Sequence, residues 1–380
     1  MNSAAARVGD SVAVIDTPAL VVDLDALDAN IAQMAGFARA HAMRLRPHAK
    51  THKSAAIAKL QVAAGAVGVC VQKVSEAQAL ADAGITDIFI SNEVIAPAKL
   101  ARLAALAGRV KLAVAVDSTA GIAALAAALR GAGTAVDVFV EIDVGQGRCG
   151  VAPAAAGALA HQVVSHGTPQ GGMRFAGLQA YHGRAQHLRS AAERAAAIRH
   201  ATALVPAARA AVTSAGIACP LVTGAGTGSF VHEAASGVYG ELQAGSYVFM
   251  DADYAANAAT PNAPRFAHAL FVKSQVMSRG ASHAVVDAGH KSHAIDSGMP
   301  RVWADGKWSP LKFDNGGDEH GILLAPGGAA LPALGDTVWL VPGHCDPTVN
   351  LHEHFIAVRG GLENGVVEAV WPIEARGSLR

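Results

Sequence analysis

Short apolar runs alternate with longer amphipathic ones through the first two-thirds of the chain. ALVVDLD (19–25) reads as a strand, and the segment after it places Leu27, Ile31, Met34 and Ala38 on one face at helical spacing. RLRPHAK (44–50) follows, then a helix starting at Ser54, a residue type favoured as an N-cap because its hydroxyl accepts an orphan backbone N–H. The pattern recurs: GVCVQK (68–73) and a helix from Ser75, DIFISN (87–92) and APAKLARLAALAG, KLAVAVDS (111–118) and an alanine-rich helix. VDVFVEID (136–143), FAGLQAYHG (175–183), PLVTGAG (220–226) and GVYGELQAGSYVF (237–249) bring the strand candidates from residue 44 onward to eight. Strands rich in Val, Ile and Leu that alternate with helices predict a parallel sheet covered on both faces. Eight such units predict a (β/α)8 TIM barrel, an α/β fold, rather than an open sheet.

After about residue 262 the texture changes. All four tryptophans (Trp303, Trp308, Trp339, Trp371) lie there, and ALFVKSQVMS, HAVVDAG, TVWLVPG and FIAVRGG are separated by Gly, Pro and Asp turns. This predicts a C-terminal β-domain, with the boundary near Thr260–Pro264, where TPNAP interrupts the periodicity. The expected organisation is a tail over 1–16, a barrel over 17–261 and a β-domain over 262–380.

The chain has 380 residues, 52% of them hydrophobic, and a formal net charge of zero. That balance argues against nucleic acid or an anionic membrane as a main partner, since both demand a basic excess. The first residues, MNSAAARVGDS, lack apolar periodicity and read as a disordered tail rather than a signal peptide. The alanine-rich stretches are broken by Arg and Gly, so none reads as a membrane span. Cys70, Cys149, Cys219 and Cys345 form no CxxC pair, which points to a reduced, cytoplasmic protein.

The basic segment RPHAKTHK would place Lys50 at the C-terminal end of the first barrel strand, where barrel active sites lie. Lys53 would then point to solvent. A lysine in a barrel mouth among other cations has a lowered pKa and can form a Schiff base; the alternative is a basic strand end facing a carboxylate. TGAGTGSF (223–230) follows the seventh strand candidate, a recurrent phosphate site in barrels. Its Gly224, Gly226 and Gly228 would let the backbone approach an anion, with Thr227 and Ser229 as hydroxyl donors; it could also be only a turn. Lysine and phosphate cradle together suggest pyridoxal 5′-phosphate.

In GHCDPTVNLHEH (343–354), His344 and Asp346 are two apart and would share a face of an extended segment. An imidazole and a carboxylate suit a divalent ion such as Mg²⁺, Mn²⁺ or Zn²⁺; a turn with an Asx motif before Pro347 is the alternative. Cys345 should point away, and His352 and His354 are further but weaker ligand candidates. AYHGRAQH (180–187) puts Tyr181, His182 and His187 at the catalytic face, where a histidine can act as general base. VGQGRCG (144–150) brings Arg148 to the same mouth, and Gln72 ends the second strand. Each could instead serve only in rim hydrogen bonds.

Together, RPHAKTHK, QKVSEA (72–77), EIDVGQGRCGV (141–151), LQAYHGRAQH (178–187), TGAGTGS (223–229), LQAGSYVFMDADY (242–254) and PGHCDPTVNLH (342–352) resemble the D-threonine aldolases and 3-hydroxy-D-aspartate aldolases. These belong with D-serine dehydratase in the alanine-racemase-like group of pyridoxal-phosphate enzymes. The resemblance spans about residues 12–380. It implies a barrel with a C-terminal β-domain, a homodimer, and a divalent metal (Mg²⁺ or Mn²⁺, with Co²⁺ or Zn²⁺ as other options). It implies Lys50 as the Schiff-base lysine, His344 and Asp346 as the metal pair, and His187 as the base for the substrate hydroxyl. Gln72, Arg148, Tyr181, Thr223, Gly226, Thr227 and Tyr254 match cofactor-contact positions. Dehydratase relatives tend to carry H-x-C where this chain has H-x-D, which favours an aldolase.

The implied reaction is retro-aldol cleavage of a D-3-hydroxy amino acid: 3-hydroxy-D-aspartate to glycine and glyoxylate, or D-threonine to glycine and acetaldehyde. DAGHKSHAIDSG (287–298), with His290, Lys291 and His293, and NGGDEHG (315–321), with His320, could hold a second carboxylate at the entrance or be a solvated basic loop. The rival readings are a D-serine or 3-hydroxyaspartate dehydratase, which would release ammonia and a keto acid, and a non-catalytic pyridoxal-phosphate carrier. A racemase would leave the metal motif without a task.

Overall fold

The computed structural model describes residues 5–168 and 171–380. Eight parallel strands form a ring: Arg44–Leu45, Val69–Val71, Asp87–Glu93, Lys111–Val116, Ala135–Glu141, Gly171–Ala180, Val222–Gly224 and Glu241–Leu242. The last pairs with the first, Glu241 opposite Arg44. The ring closes between the first and second strands through a parallel bridge from His48 to Cys70, with the Cys70 N–H donating to Pro47 O at 2.8 Å. Helices cross from strand to strand on the outside, and their apolar faces share one core with the strands' outward Val, Ile and Leu side chains. The expected alanine-racemase-like barrel with a separate β-sheet is thus the observed architecture.

The second sheet runs through Arg301–Ala304, Thr337–Val341, Leu270–Arg279, Ala19–Asp23, His354–Arg359 and Val366–Pro372. The strand Ala19–Asp23, expected to lie within the barrel boundaries, sits in the middle of this sheet. Val21 pairs antiparallel with Phe271 and parallel with Ile356. Its first four residues are buried on both faces, which a central strand requires and an edge does not. The chain therefore begins in one sheet and crosses to the barrel through the helix Leu24–Ala40. Leu27, Ile31, Met34 and Ala38 of that helix are buried as the spacing predicts. They join Leu45 and Leu242 of the barrel to Leu270, Val272 and Phe355 of the sheet in one apolar core.

The expected disordered tail is also revised; residues 1–4 of it lie outside the described residues. Ser11 bridges Val366, and Val12 and Ile15 are each 2% exposed. Lys273 explains this. Its side chain is buried in the sheet, and its ammonium donates to the carbonyls of Val12, Ala13 and Ile15 at 3.0, 3.0 and 2.7 Å. A buried cation with three acceptors folds the preceding segment over itself, a tie that no periodicity announces. Ser54 heads its helix as expected, but its hydroxyl donates to Pro372 O, and Glu374 accepts the Ala55 N–H instead. Among the described residues no helix is long and apolar enough to cross a membrane.

Lys273→Met keeps the apolar stem and strands three carbonyls. At about 1–3 kcal/mol for a buried group left unpaired, a loss of roughly 3 kcal/mol is expected, read as a lower urea midpoint at unchanged slope.

Candidate active site

A cavity of about 520 Å³ opens at the C-terminal ends of the barrel strands. Lys50, Gln72, Arg148, Tyr181, His187, Gly226, Thr227, Tyr254, His344 and Asp346 all line it, so the structure gathers these expected residues in one place. Thr223 does not line it. It is fully buried inside the barrel, donating to Glu241 and accepting from Gln243. His182 is also outside the lining, its ring beside Gly145, where an added Cβ would come within 3.5 Å of Nε2. His352 is tied to Ser292 O at 2.7 Å and does not line the cavity either.

Lys50 follows the first strand, and its Nζ is 3.8 Å from Asp346 Oδ2, with the side chain 39% open to the cavity. Burial works to lower its pKa, but the Asp346 carboxylate and the Tyr181 phenol outweigh it and hold it above the ordinary lysine value. The sequence predicted a lowered value among cations. The carboxylate that reverses the sign lies 296 positions away in the chain. Lys53, expected in solvent, is 6% exposed and paired with Glu76 at 2.6 Å.

His344 caps the short helix Cys345–Val349, so Asp346 stands in a helical turn rather than on the extended segment expected. The pair still converges, His344 Nε2 to Asp346 Oδ1 at 3.8 Å. Two donors about 2.1 Å from one ion can be at most about 4.2 Å apart, so the pair fits a shared divalent metal. Cys345, expected to point the other way, is buried and outside the cavity lining, yet its Sγ lies 3.5 Å from Asp346 Oδ1 and within 4.8 Å of the ligand atoms of His344 and Asp251. Asp251, which sequence reasoning missed, orients His344. Its Oδ2 meets His344 Nδ1 at 2.7 Å and accepts the Cys345 N–H at 3.0 Å, leaving Nε2 as the atom that could reach a metal. Burial opposes the imidazolium, yet Asp251 and Asp346 raise the His344 pKa to about 9. Burial likewise opposes the Asp346 charge, and His344 and Lys50 hold it down at about 2.

His187 repeats the device. Its Nδ1 is 2.6 Å from Asp253 Oδ2, and Asp253 is also clasped by Arg189. Burial pushes the Asp253 pKa up, but the bonds from Arg189 and His187 bring it below the ordinary value. The two imidazoles are 6.5 Å apart, and the Tyr254 ring packs beside both, 5.5 Å from His187 and 6.2 Å from His344. Asp251 and Asp253 were legible only as part of MDADY; nothing in the local pattern marks which histidine each holds.

The glycine loop departs from expectation in its reason. A Cβ at Gly226 would strike the Gln186 side chain and one at Gly228 the Gln186 backbone, so these glycines let the loop close against that residue. Gln186 then accepts the Gly228 N–H, and Ser229 is spent on Gln186 and Glu233. The face toward the cavity is Ala225, Gly226 and Thr227, opposite Gly245 and Ser246. Among the described residues the N–H groups of Gly226, Thr227 and Gly245 have no hydrogen-bond partner, as a phosphate cradle requires. The residues therefore fit pyridoxal phosphate. The entrance histidines do not reach this cavity: His293 is buried, and His290 and Lys291 pair with Asp318.

A barrel mouth with a strand-end lysine, a phosphate cradle and a sheet contributed from outside defines a pyridoxal-phosphate enzyme of the alanine-racemase type. Residues 22–253 match the family described as "Alanine racemase, N-terminal domain", and 269–358 the "Putative serine dehydratase domain". The chain is 47% identical to the D-threonine aldolase of an Arthrobacter species, over 99% of this chain and 96% of that one. It is 44% identical to the 3-hydroxy-D-aspartate aldolase of Paracoccus denitrificans, over 96% and 92%. The crystal structure of D-threonine aldolase from Filomicrobium marinum superposes with a TM-score of 0.94 at 48% identity, covering all of both chains. The chain belongs to the D-threonine aldolase and 3-hydroxy-D-aspartate aldolase family, and it is a lyase.

In metal-free protein, His344 has a folded value of about 9 against an ordinary 6.5. Its contribution to stability is complete below about pH 6.5 and is lost as pH rises through about 9. The urea midpoint should fall across that window, and His344→Gln should flatten the fall.

Proposed function

We propose that the protein cleaves the Cα–Cβ bond of a D-3-hydroxy amino acid, giving glycine and an aldehyde. One observation carries this reading. His187 and His344 face one cavity with Nδ1 held by Asp253 and Asp251, which leaves Nε2 of each for substrate chemistry. In this reading His187 serves as a base and His344 as a metal ligand. Bound pyridoxal phosphate supplies an electron sink for the pair left on Cα, and a divalent metal supplies a Lewis acid for the β-hydroxyl.

The protein's own residues do the rest. Lys50 would hold the cofactor through its amine, and His344 and Asp346 would hold the metal. His187 Nε2 takes the hydroxyl proton, and Asp253 keeps Nδ1 protonated and stabilises the imidazolium that forms. The bond that breaks leaves its electrons on Cα, which takes up a proton to become glycine, while the oxygen becomes the aldehyde. Tyr181 and Tyr254, kept neutral by burial, act as hydrogen-bond donors.

The cavity also bears on the substituent at Cβ. Ala225 is its only aliphatic wall residue, whereas Lys73, Arg148 and Arg184 line it and carry no ion pair among the described residues. That lining suits a carboxylate better than a methyl group, so 3-hydroxy-D-aspartate is favoured over D-threonine. A homodimer and a cytoplasmic setting belong to the same proposal. The dimer is carried by the family resemblance and the setting by four unpaired cysteines.

Incubation with pyridoxal phosphate and Mn²⁺ should yield glycine plus glyoxylate from 3-hydroxy-D-aspartate, faster than glycine plus acetaldehyde from D-threonine. EDTA should abolish both, and Lys50→Ala should yield neither. Ammonia plus a keto acid without glycine would instead make it a dehydratase. Asp253→Asn should lower kcat about 100-fold with KM little changed, as expected when a general base loses its orienting partner.

A further inference from the structure

Lys53 and Glu76 take no part in the chemistry above, and neither lines the cavity. Both are nonetheless buried, at 6% and 3% exposure, with Lys53 Nζ 2.6 Å from Glu76 Oε1. Lys53 adopts φ 53°, a left-handed conformation that a side chain rarely takes unless its surroundings impose it. Three residues before it, the same tight turn presents Lys50. The other oxygen of Glu76 accepts the N–H groups of Gln72 at 2.9 Å and Lys73 at 3.1 Å. One carboxylate therefore grips the lip that carries Gln72 and, through Lys53, the turn that carries Lys50.

The segment 372–380 closes this arrangement from the far end of the chain. The Ala375 N–H donates to Lys53 O at 3.0 Å. Ser54 Oγ donates to Pro372 O, and Glu374 accepts the Ala55 N–H. The Gly377 N–H donates to Asn350, which caps the helix bearing Asp346. The lysine turn, the Gln72 lip and the metal helix are thus tied to one strap.

We propose that the buried Lys53–Glu76 pair, closed by residues 372–380, positions Lys50 between the cofactor and Asp346. Lys50 must leave the cofactor and return to it within each turnover, so its turn has to stay in one place while its side chain moves. A buried pair is costly to break from either side, so it is a rigid stop. Lys53 and Glu76 are positioning residues. The inference rests on the aldolase reading for its rate assay, but not for its cofactor assay.

The test uses Mn²⁺-loaded holoenzyme of wild type, Lys53→Met, Glu76→Gln and the double variant. Each single variant is expected to lose about tenfold or more in kcat with KM within about twofold, because misplacement costs rate rather than affinity. Attachment of pyridoxal phosphate to the apoprotein, followed by visible absorbance, should slow about tenfold. The double variant should be no worse than the poorer single one, since the pair acts as a unit. If Lys53→Met does not fold, the nearly isosteric Glu76→Gln carries the test. Variants that melt earlier but keep wild-type kcat and attachment rate would overturn the proposal, leaving the pair a purely structural one. If wild type attaches cofactor yet makes no glycine, the aldolase reading fails, and the attachment rates alone decide the positioning role.

Discussion

The buried carboxylate of Asp251 is the joint on which the site depends. It is fully inaccessible and accepts from His344, from the Cys345 N–H and from the Tyr254 N–H. Immediately after it, the Ala252 and Asp253 N–H groups donate to Pro342 O and Gly343 O. The chain leaving the barrel is thereby sewn to the turn that carries His344 and Asp346. That seam helps fix the 3.8 Å between Lys50, which follows a barrel strand, and Asp346, which follows a strand of the second sheet.

The apolar core makes the seam possible. The barrel's lower strands, the crossing helix Leu24–Ala40 and the second sheet share one cluster that includes Leu27, Met34, Tyr247, Phe249 and Phe355. At about 25 cal/mol per Å² of buried apolar surface, such a continuous core outweighs any single polar contact. It holds the two bodies as one unit, and the polar contacts decide only where within that unit the reactive groups stand. Directional bonds such as those to Asp251 and Asp253 then have two states, made or unmade, rather than a range.

Electrostatics in the cavity follow from its asymmetry. Asp346 is the one carboxylate in the lining, facing Lys50, Lys73, Arg148 and Arg184. It keeps its charge against burial because His344 and Lys50 lie beside it. An excess of cations suits a site for a phosphate and an amino-acid carboxylate.

Periodicity determined much of this protein by itself. Eight strand positions, the buried face of the first helix and the change of texture after about residue 262 are all properties of spacing, and spacing is local. Lys50, His187 and His344 were picked out by their positions after strand candidates, by the H-x-D spacing and by family resemblance, and all three line the one cavity. The tertiary structure alone decided what depends on meetings across the chain. It put Ala19–Asp23 in the middle of the second sheet, ordered residues 5–16 around Lys273, and buried Lys53 against Glu76. It set the sign of the Lys50 shift through Asp346 and gave Gly226 and Gly228 to Gln186. Each of these rests on a polar or steric contact between segments far apart in sequence. Such contacts leave no period along the chain, because what fixes them is the packing that brings the segments together.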